Sequence, residues 1–167
     1  MHPPADFRSR APRLTGLLLG LLGLCSMAVS GLAGALESLN AYPQSALEIR
    51  TAGGRQWFTI RVADSEPRQE QGLMFVRALP ADEGMLFPQA TPRIMNFWMK
   101  NTLIPLDLLF ITARGRVACL RAMAKPLALD LISCPQPVKA VLEISGGEAA
   151  RRGIKIGDIV AHAEFHR

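Results

Sequence analysis

The stretch Leu103-Ile104-Pro105-Leu106-Asp107-Leu108-Leu109-Phe110-Ile111, followed by Ala113-Arg114-Gly115-Arg116 and then by Val117 to Met123, decides the fold. An apolar run of this length, a glycine-bearing polar turn and a second apolar run read as two antiparallel strands of a hairpin. The chain around them repeats the pattern. Upstream, Leu47-Glu48-Ile49 alternates, Gly53-Gly54 turns the chain, and Trp57 to Val62 returns it as another hairpin. Asp64 or Ser65 then caps a short helix with Pro67 in its first turn, which weakens at Gly72. Leu79 to Gly84 reads as a turn into Met85-Leu86-Phe87, followed by a strand over Ile94–Met99 and a turn near Asn101-Thr102. Downstream, residues 124–137 with three prolines read as a connecting loop, Val138–Ile144 as a strand, and Gly146 to Arg152 as a second short helix. A last strand is expected over Ile159–Phe165. Many short strands and two short helices predict a mainly β domain, a compact antiparallel sandwich or barrel. The strand–helix alternation of a parallel α/β sheet is missing.

The chain has 167 residues, 49% hydrophobic, 20% charged and 6% aromatic, which suits one domain. Residues 1–13 carry Arg8, Arg10 and Arg13. An uncharged Leu-rich stretch runs from Leu14 to Leu36, and Ala33-Gly34-Ala35 offers a cleavage site. A charged start, an apolar centre and an A-x-A site make a secretory signal peptide over residues 1–35. The expected mature chain begins at Leu36, with a loosely ordered lead over 36–46 and one domain over 47–167. Its location is periplasmic or secreted, with no membrane attachment once the leader is cut. Of 19 basic and 14 acidic residues, the leader holds three and one, so the mature chain keeps 16 and 13, a net of +3. That excess is too thin to argue for nucleic acid. Cys119 and Cys134 remain after the leader is removed. In an oxidising compartment they either form one disulfide or serve separately as small buried fillers.

Signatures of familiar catalysis are absent. The mature chain keeps only His162 and His166, near its C-terminal end, and no G-x-S-x-G, Walker A, H-E-x-x-H or C-x-x-C occurs. A Ser or Cys nucleophile would lack its usual base, so the reading leans away from an enzyme. Asp107, by contrast, stands inside an apolar run, and a buried carboxylate needs a partner. Lys100, Asn101 and Arg68 are the candidates to meet it. With Trp98 as a flat platform, Arg68, Trp98, Lys100, Asn101 and Asp107 form a candidate site for a small polar ligand such as a saccharide. The competing reading is a structural ion pair locking a turn. Gly72, Gly84 and Gly157 are expected where a side chain is poorly tolerated, at turns or element ends.

These residues also carry a resemblance. Arg68 with Gly72-Leu73-Met74, the run Leu79 to Phe87, Phe97-Trp98-Met99-Lys100-Asn101-Thr102 with Ile104-Pro105-Leu106-Asp107, then Val141-Leu142-Glu143, Gly153-Ile154 and Gly157-Asp158 resemble the bacterial domain of unknown function 192 family. The likeness covers about Leu47 to Phe165. Thr112 stands where such proteins often have Asp, and Ala140 where Tyr is common. The resemblance implies a compact, mainly β single domain, often exported. It carries over no catalytic residue and no cofactor.

Three functions from different classes follow. The first is a binding or accessory module for a small polar ligand or a periplasmic protein. The second is a carboxylate-based hydrolase using Asp107 with Asp82 or Glu83. The third is a copper-binding protein using the thioethers of Met74, Met85, Met95 and Met99, since soft sulfur ligands select Cu(I). Against the third, methionine is also a common filler of cores, and no His or Cys is interleaved with these four. The binding module is the preferred reading, with no cofactor assigned.

Overall fold

A computed structural model describes residues 36–165; the expected leader and His166 lie outside the described residues. Strands β1 (Gln44–Thr51) and β2 (Gly54–Val62) form the first hairpin, with Leu47 opposite Phe58. Helix α1 (Glu66–Gln71) follows, and the chain returns as β3 (Glu83–Arg93), parallel to β2 with Ile60 opposite Gly84. A two-residue strand, β4 (Asn96–Phe97), precedes β5 (Leu106–Ile111) and β6 (Val117–Ala124), the hairpin that decided the fold from sequence. β7 (Ile132–Ser133) pairs with β4, and β8 (Val138–Ser145) slots between β5 and β3. Helix α2 (Glu148–Arg151) and β9 (Ile159–Ala161) complete the chain, and β9 pairs with β1. The main sheet therefore has the order β6-β5-β8-β3-β2-β1-β9. Its two outer strands meet at one end. There Val117 N–H donates to the Asp158 carbonyl at 2.9 Å and Val160 N–H to the Gly115 carbonyl at 2.7 Å. The sheet is a curled half-barrel, and the mainly β expectation is met.

Side chains alternate between the two faces of this sheet, as the pleat requires. Leu47, Ile60, Leu86, Leu109, Leu142 and Ile144 fill the concave interior. Met85, Phe87, Leu108, Phe110 and Val141 point to the other face, where Leu73, Met95, Met99, Ile132 and Cys134 cover them. Every residue of β5 is buried, because both of its faces are covered. Full burial of a Leu or Phe stabilises by roughly 1.5–3 kcal/mol, so the second layer contributes to stability as the interior does. Cys119 on β6 and Cys134 after β7 form a disulfide with Cα atoms 5.8 Å apart, tying the covering layer to the sheet edge.

Several boundaries depart from the sequence expectation. The sheet is not wholly antiparallel, because α1 crosses over between β2 and β3. Gly84 lies within β3, not in a turn, and a Cβ there would stand 2.7 Å from the Glu143 carbonyl oxygen. The expected strand Ile94–Met99 contracts to Asn96–Phe97, since this segment crosses over the sheet and pairs only with β7. β5 begins at Leu106, after Pro105, which has no N–H to give a ladder. Residues 124–137 are not all loop, as they include β7. The last strand stops at Ala161 and tightens into a 3₁₀ turn, Ala163–Phe165, which buries Phe165. The lead is ordered as well. Leu39–Ala41 form a 3₁₀ turn, Tyr42 is buried, and β1 already starts at Gln44.

Candidate functional site

Helix α1 is held down on the outer face of the sheet. The Gln69 side-chain amide donates to the Ala63 carbonyl at 3.1 Å and to the Pro88 carbonyl at 2.9 Å, and it accepts from Gln89 at 3.0 Å. The helix ends at Gly72, whose φ of 48° lies in the left-handed region and whose added Cβ would meet the Phe87 ring at 3.3 Å. A second segment, Arg93–Thr102, runs alongside it. Met99 N–H donates to the Ala128 carbonyl at 2.9 Å, and Thr102 N–H to Met99 at 3.0 Å. Asn101, at φ 57°, accepts through its carbonyl from Phe75 N–H at 2.8 Å, which joins this segment to the exit of α1. Asn and a tight left-handed turn are compatible, because its short polar side chain tolerates that region.

Between α1 and Arg93–Thr102 lies a cleft of about 650 Å³, within the size range of small-molecule sites. Glu66, Glu70 and Gln71 line one side; Arg93, Ile94, Trp98 and Lys100 line the other; Phe87, Phe97, Met74 and Met95 supply apolar wall. At the floor is Glu143. It lies opposite Met85 on β3 and Leu108 on β5, so the pleat sends its side chain out of the barrel and under the covering layer. The residue is 5% exposed, and its carboxyl makes no hydrogen bond or ion pair with another described residue. Burial pushes its pKa up to about 8, because no partner offsets the cost of removing the charge from water. At neutral pH the floor of the cleft is therefore a neutral carboxylic acid, a donor and an acceptor at once.

The residues singled out from sequence separate. Trp98 and Lys100 do meet in the cleft, with the Lys100 ammonium 5.2 Å from the Trp98 ring centre. Asn101 stands behind the wall, its amide 3.8 Å from the Met74 sulfur. Arg68 is not in the cleft. It clamps the lead, paired to Glu37 at 2.7 Å and Asp64 at 2.8 Å and lying 5.1 Å from the Tyr42 ring centre. That contact holds the Glu37 carboxyl below the usual range. Asp107 is on the opposite face, since it stands in register with Ile144. It is fully buried and meets neither Lys100 nor Arg68. Its carboxylate accepts three backbone N–H bonds: from Met123 at 2.8 Å, Gly147 at 3.0 Å and Ala149 at 2.8 Å. It thus caps the start of α2 from a neighbouring strand and has no access to the cleft. Glu83 is paired with Arg61. Of the four methionines, Met74 and Met95 are cleft walls, while Met85 and Met99 are buried in the apolar layer.

Glu143 is the residue that reading the sequence for sites passed over. Its signal is weaker than that of Asp107: it stands between Leu142 and Ile144 in a run, Val138–Ile144, that also holds Lys139. Among the described residues no group of three or more His, Cys, Asp and Glu is placed to hold a metal ion, and no helix is long and apolar enough to cross a membrane.

Comparison with known proteins adds the following. The model of the DUF192 family, described as Uncharacterized ACR, matches residues 48–162. A crystal structure from Sinorhizobium meliloti 1021, named as a candidate transcription regulator, is similar at 35% identity and a TM-score of 0.72, covering 74% of this chain and 96% of its own. A protein of unknown function from Novosphingobium aromaticivorans DSM 12444 is similar at 35% identity and a TM-score of 0.69, covering 77% of this chain and 99% of its own. No curated protein matches.

Proposed function

The chain belongs to the DUF192 family, and from that premise we propose that it is an exported binding module whose cleft over β3 and β8 takes a small organic ligand. The observation that carries this reading is Glu143. A nearly buried carboxyl with no partner among the described residues keeps only a narrow contact with solvent through the cleft, and that partial loss of hydration costs stability. Such a cost is retained at a place where something from outside completes the group. The walls agree, setting apolar and aromatic side chains such as Met74, Phe87, Phe97 and Trp98 beside a comparable share of polar and charged ones, a lining that suits a molecule with both an organic skeleton and a polar group. Export is supported by the charged, Leu-rich leader with its Ala33-Gly34-Ala35 site and by the Cys119–Cys134 pair, which an oxidising compartment sustains.

The test is a thermal-shift panel of saccharides, peptidoglycan fragments, amino acids and amines on the oxidised protein. A ligand that binds only the native state raises the midpoint. At least one class is expected to raise it for the wild type and not for Glu143→Gln. A flat response across the panel overturns the binding reading. For export, intact mass of periplasmic protein is expected to begin at Leu36, and a membrane-bound species keeping residues 1–35 overturns that part.

A further inference from the structure

We propose that the cleft takes an organic ammonium ion, a protonated amine seated on Glu143 with its carbon skeleton among the aromatic rings and thioethers. This rests on the binding reading above and assigns the chemical class of its ligand. A buried carboxyl can be completed by a proton or by a cation. Among the described residues no cation and no donor reaches Glu143, so a proton does this up to about pH 8. An ammonium ion would displace that proton. It brings N–H donors of its own and forms a charge-assisted pair at the base of the cleft, where the nearly buried Glu143 is less hydrated than a surface carboxylate and such bonds are stronger.

The walls fit the same chemistry. Phe87 and Phe97 meet edge to face with centres 5.1 Å apart beside the floor, and aromatic faces attract cations. Met74 and Met95 add polarizable sulfur. The chain's own Lys100 already places an ammonium over the Trp98 ring, at 5.2 Å. The charged groups facing Glu143 across the cleft are Glu66 and Glu70 on α1 and Arg93 and Lys100 on the opposite side. The acids favour a cation and the bases an anion, so Lys100 becomes the discriminating position. An ammonium ligand competes with the Lys100 side chain, whereas an anionic ligand depends on it.

Isothermal titration with benzylammonium chloride and with benzyl alcohol, which share a skeleton and differ in charge, tests the assignment between pH 6.0 and 8.5. The ammonium ion is expected to bind and the alcohol to bind at least tenfold more weakly. Its affinity should rise with pH up to about 8, because binding releases the Glu143 proton. Glu143→Gln, which keeps the neutral shape and so keeps the fold, should weaken it on the order of 30-fold, as for a lost partner of a buried pair. Lys100→Met should strengthen it about two- to fivefold, the scale of one exposed charge pair. Equal binding of the alcohol, an affinity that falls with pH, indifference to Glu143→Gln, or weakening by Lys100→Met each overturns the ammonium assignment. Glu143-dependent binding of the alcohol alone would do so while leaving the cleft a binding site. No binding of either probe also overturns it, and the broader panel then decides the binding reading separately.

Discussion

Replacing Asp107 by alanine is the sharpest test of how this fold holds itself together. The carboxylate is fully buried and satisfies three backbone donors, the N–H groups of Met123, Gly147 and Ala149. Two of these belong to the entry of α2, a four-residue helix whose N-cap residue, Gly147, offers no side chain to cap it. Removing the acceptor leaves donors facing an apolar cavity, and each unsatisfied one costs about 1–3 kcal/mol, partly relieved where Met123 reaches water. The expected loss for Asp107→Ala is therefore about 3–5 kcal/mol. Asp107→Asn keeps one acceptor oxygen and turns an amide toward a donor, so it should cost about half as much. A second mutation separates this account from an ion pair. If Lys100 were the partner, Lys100→Met would rescue Asp107→Ala. With the carboxylate bound by backbone alone, the two changes should add to within about 0.5 kcal/mol. Urea unfolding of the four proteins measures all of this. An Asp107→Ala protein within about 0.5 kcal/mol of wild type, or a clear rescue by Lys100→Met, refutes the capping argument.

Three further outcomes follow from the same structure. Glu143 has a pKa raised from 4.5 unfolded to about 8 folded, so the native state holds a proton the unfolded state has lost, and stability should decline as pH rises from about 4.5 to 8. In Glu143→Gln that share of the decline should vanish and the midpoint at pH 8 should exceed wild type; parallel pH–stability curves would count against it. Breaking the disulfide by Cys134→Ser should cost about 3 kcal/mol for a loop of this length, read from denaturant midpoints with and without reductant. Gly84→Ala should cost more than about 1 kcal/mol, because its Cβ would meet the Glu143 backbone oxygen at 2.7 Å with Ile144 and Leu142 close behind. An unchanged melting temperature would show that β3 and β8 can part there.

Most of the sheet was legible because its signals are local. Gly53-Gly54 between alternating runs marked β1 and β2, and Ala113 to Arg116 marked the turn between β5 and β6. The parallel joint of β2 and β3 was not, since nothing between Val62 and Glu83 states on which side of β2 the chain will return. The fate of the acids divides on the same ground. Asp107, inside Leu106 to Ile111, announced its burial, but its partners are main-chain N–H groups, which no sequence distinguishes. Glu143 alternates with Leu142 and Ile144, so on a sheet with one wet face it reads as the outward polar position. It is outward. What buries it is α1 and the Arg93–Thr102 segment, laid across that face by long-range packing. Arg68 and Trp98 failed as neighbours for a similar reason, because Arg68 turns back to Glu37 and Tyr42 in a lead that had been expected to be loose.

The position of β9 has a consequence for how the chain comes into being. Its three residues pair with β1 near the start of the domain and also bring the sheet's far edge into contact at Arg116 and Val117. A polypeptide emerging from the ribosome cannot bring these edges together until Ala161 has been made, more than a hundred residues after Glu48. Joining segments so distant along the chain is slow, because loop entropy is spent before any contact is gained. Until then the interior lacks Val160 and Phe165 and stays open along one side. On the export route proposed above, late closure of the sheet would keep the chain threadable through a translocation pore for as long as it is being synthesised.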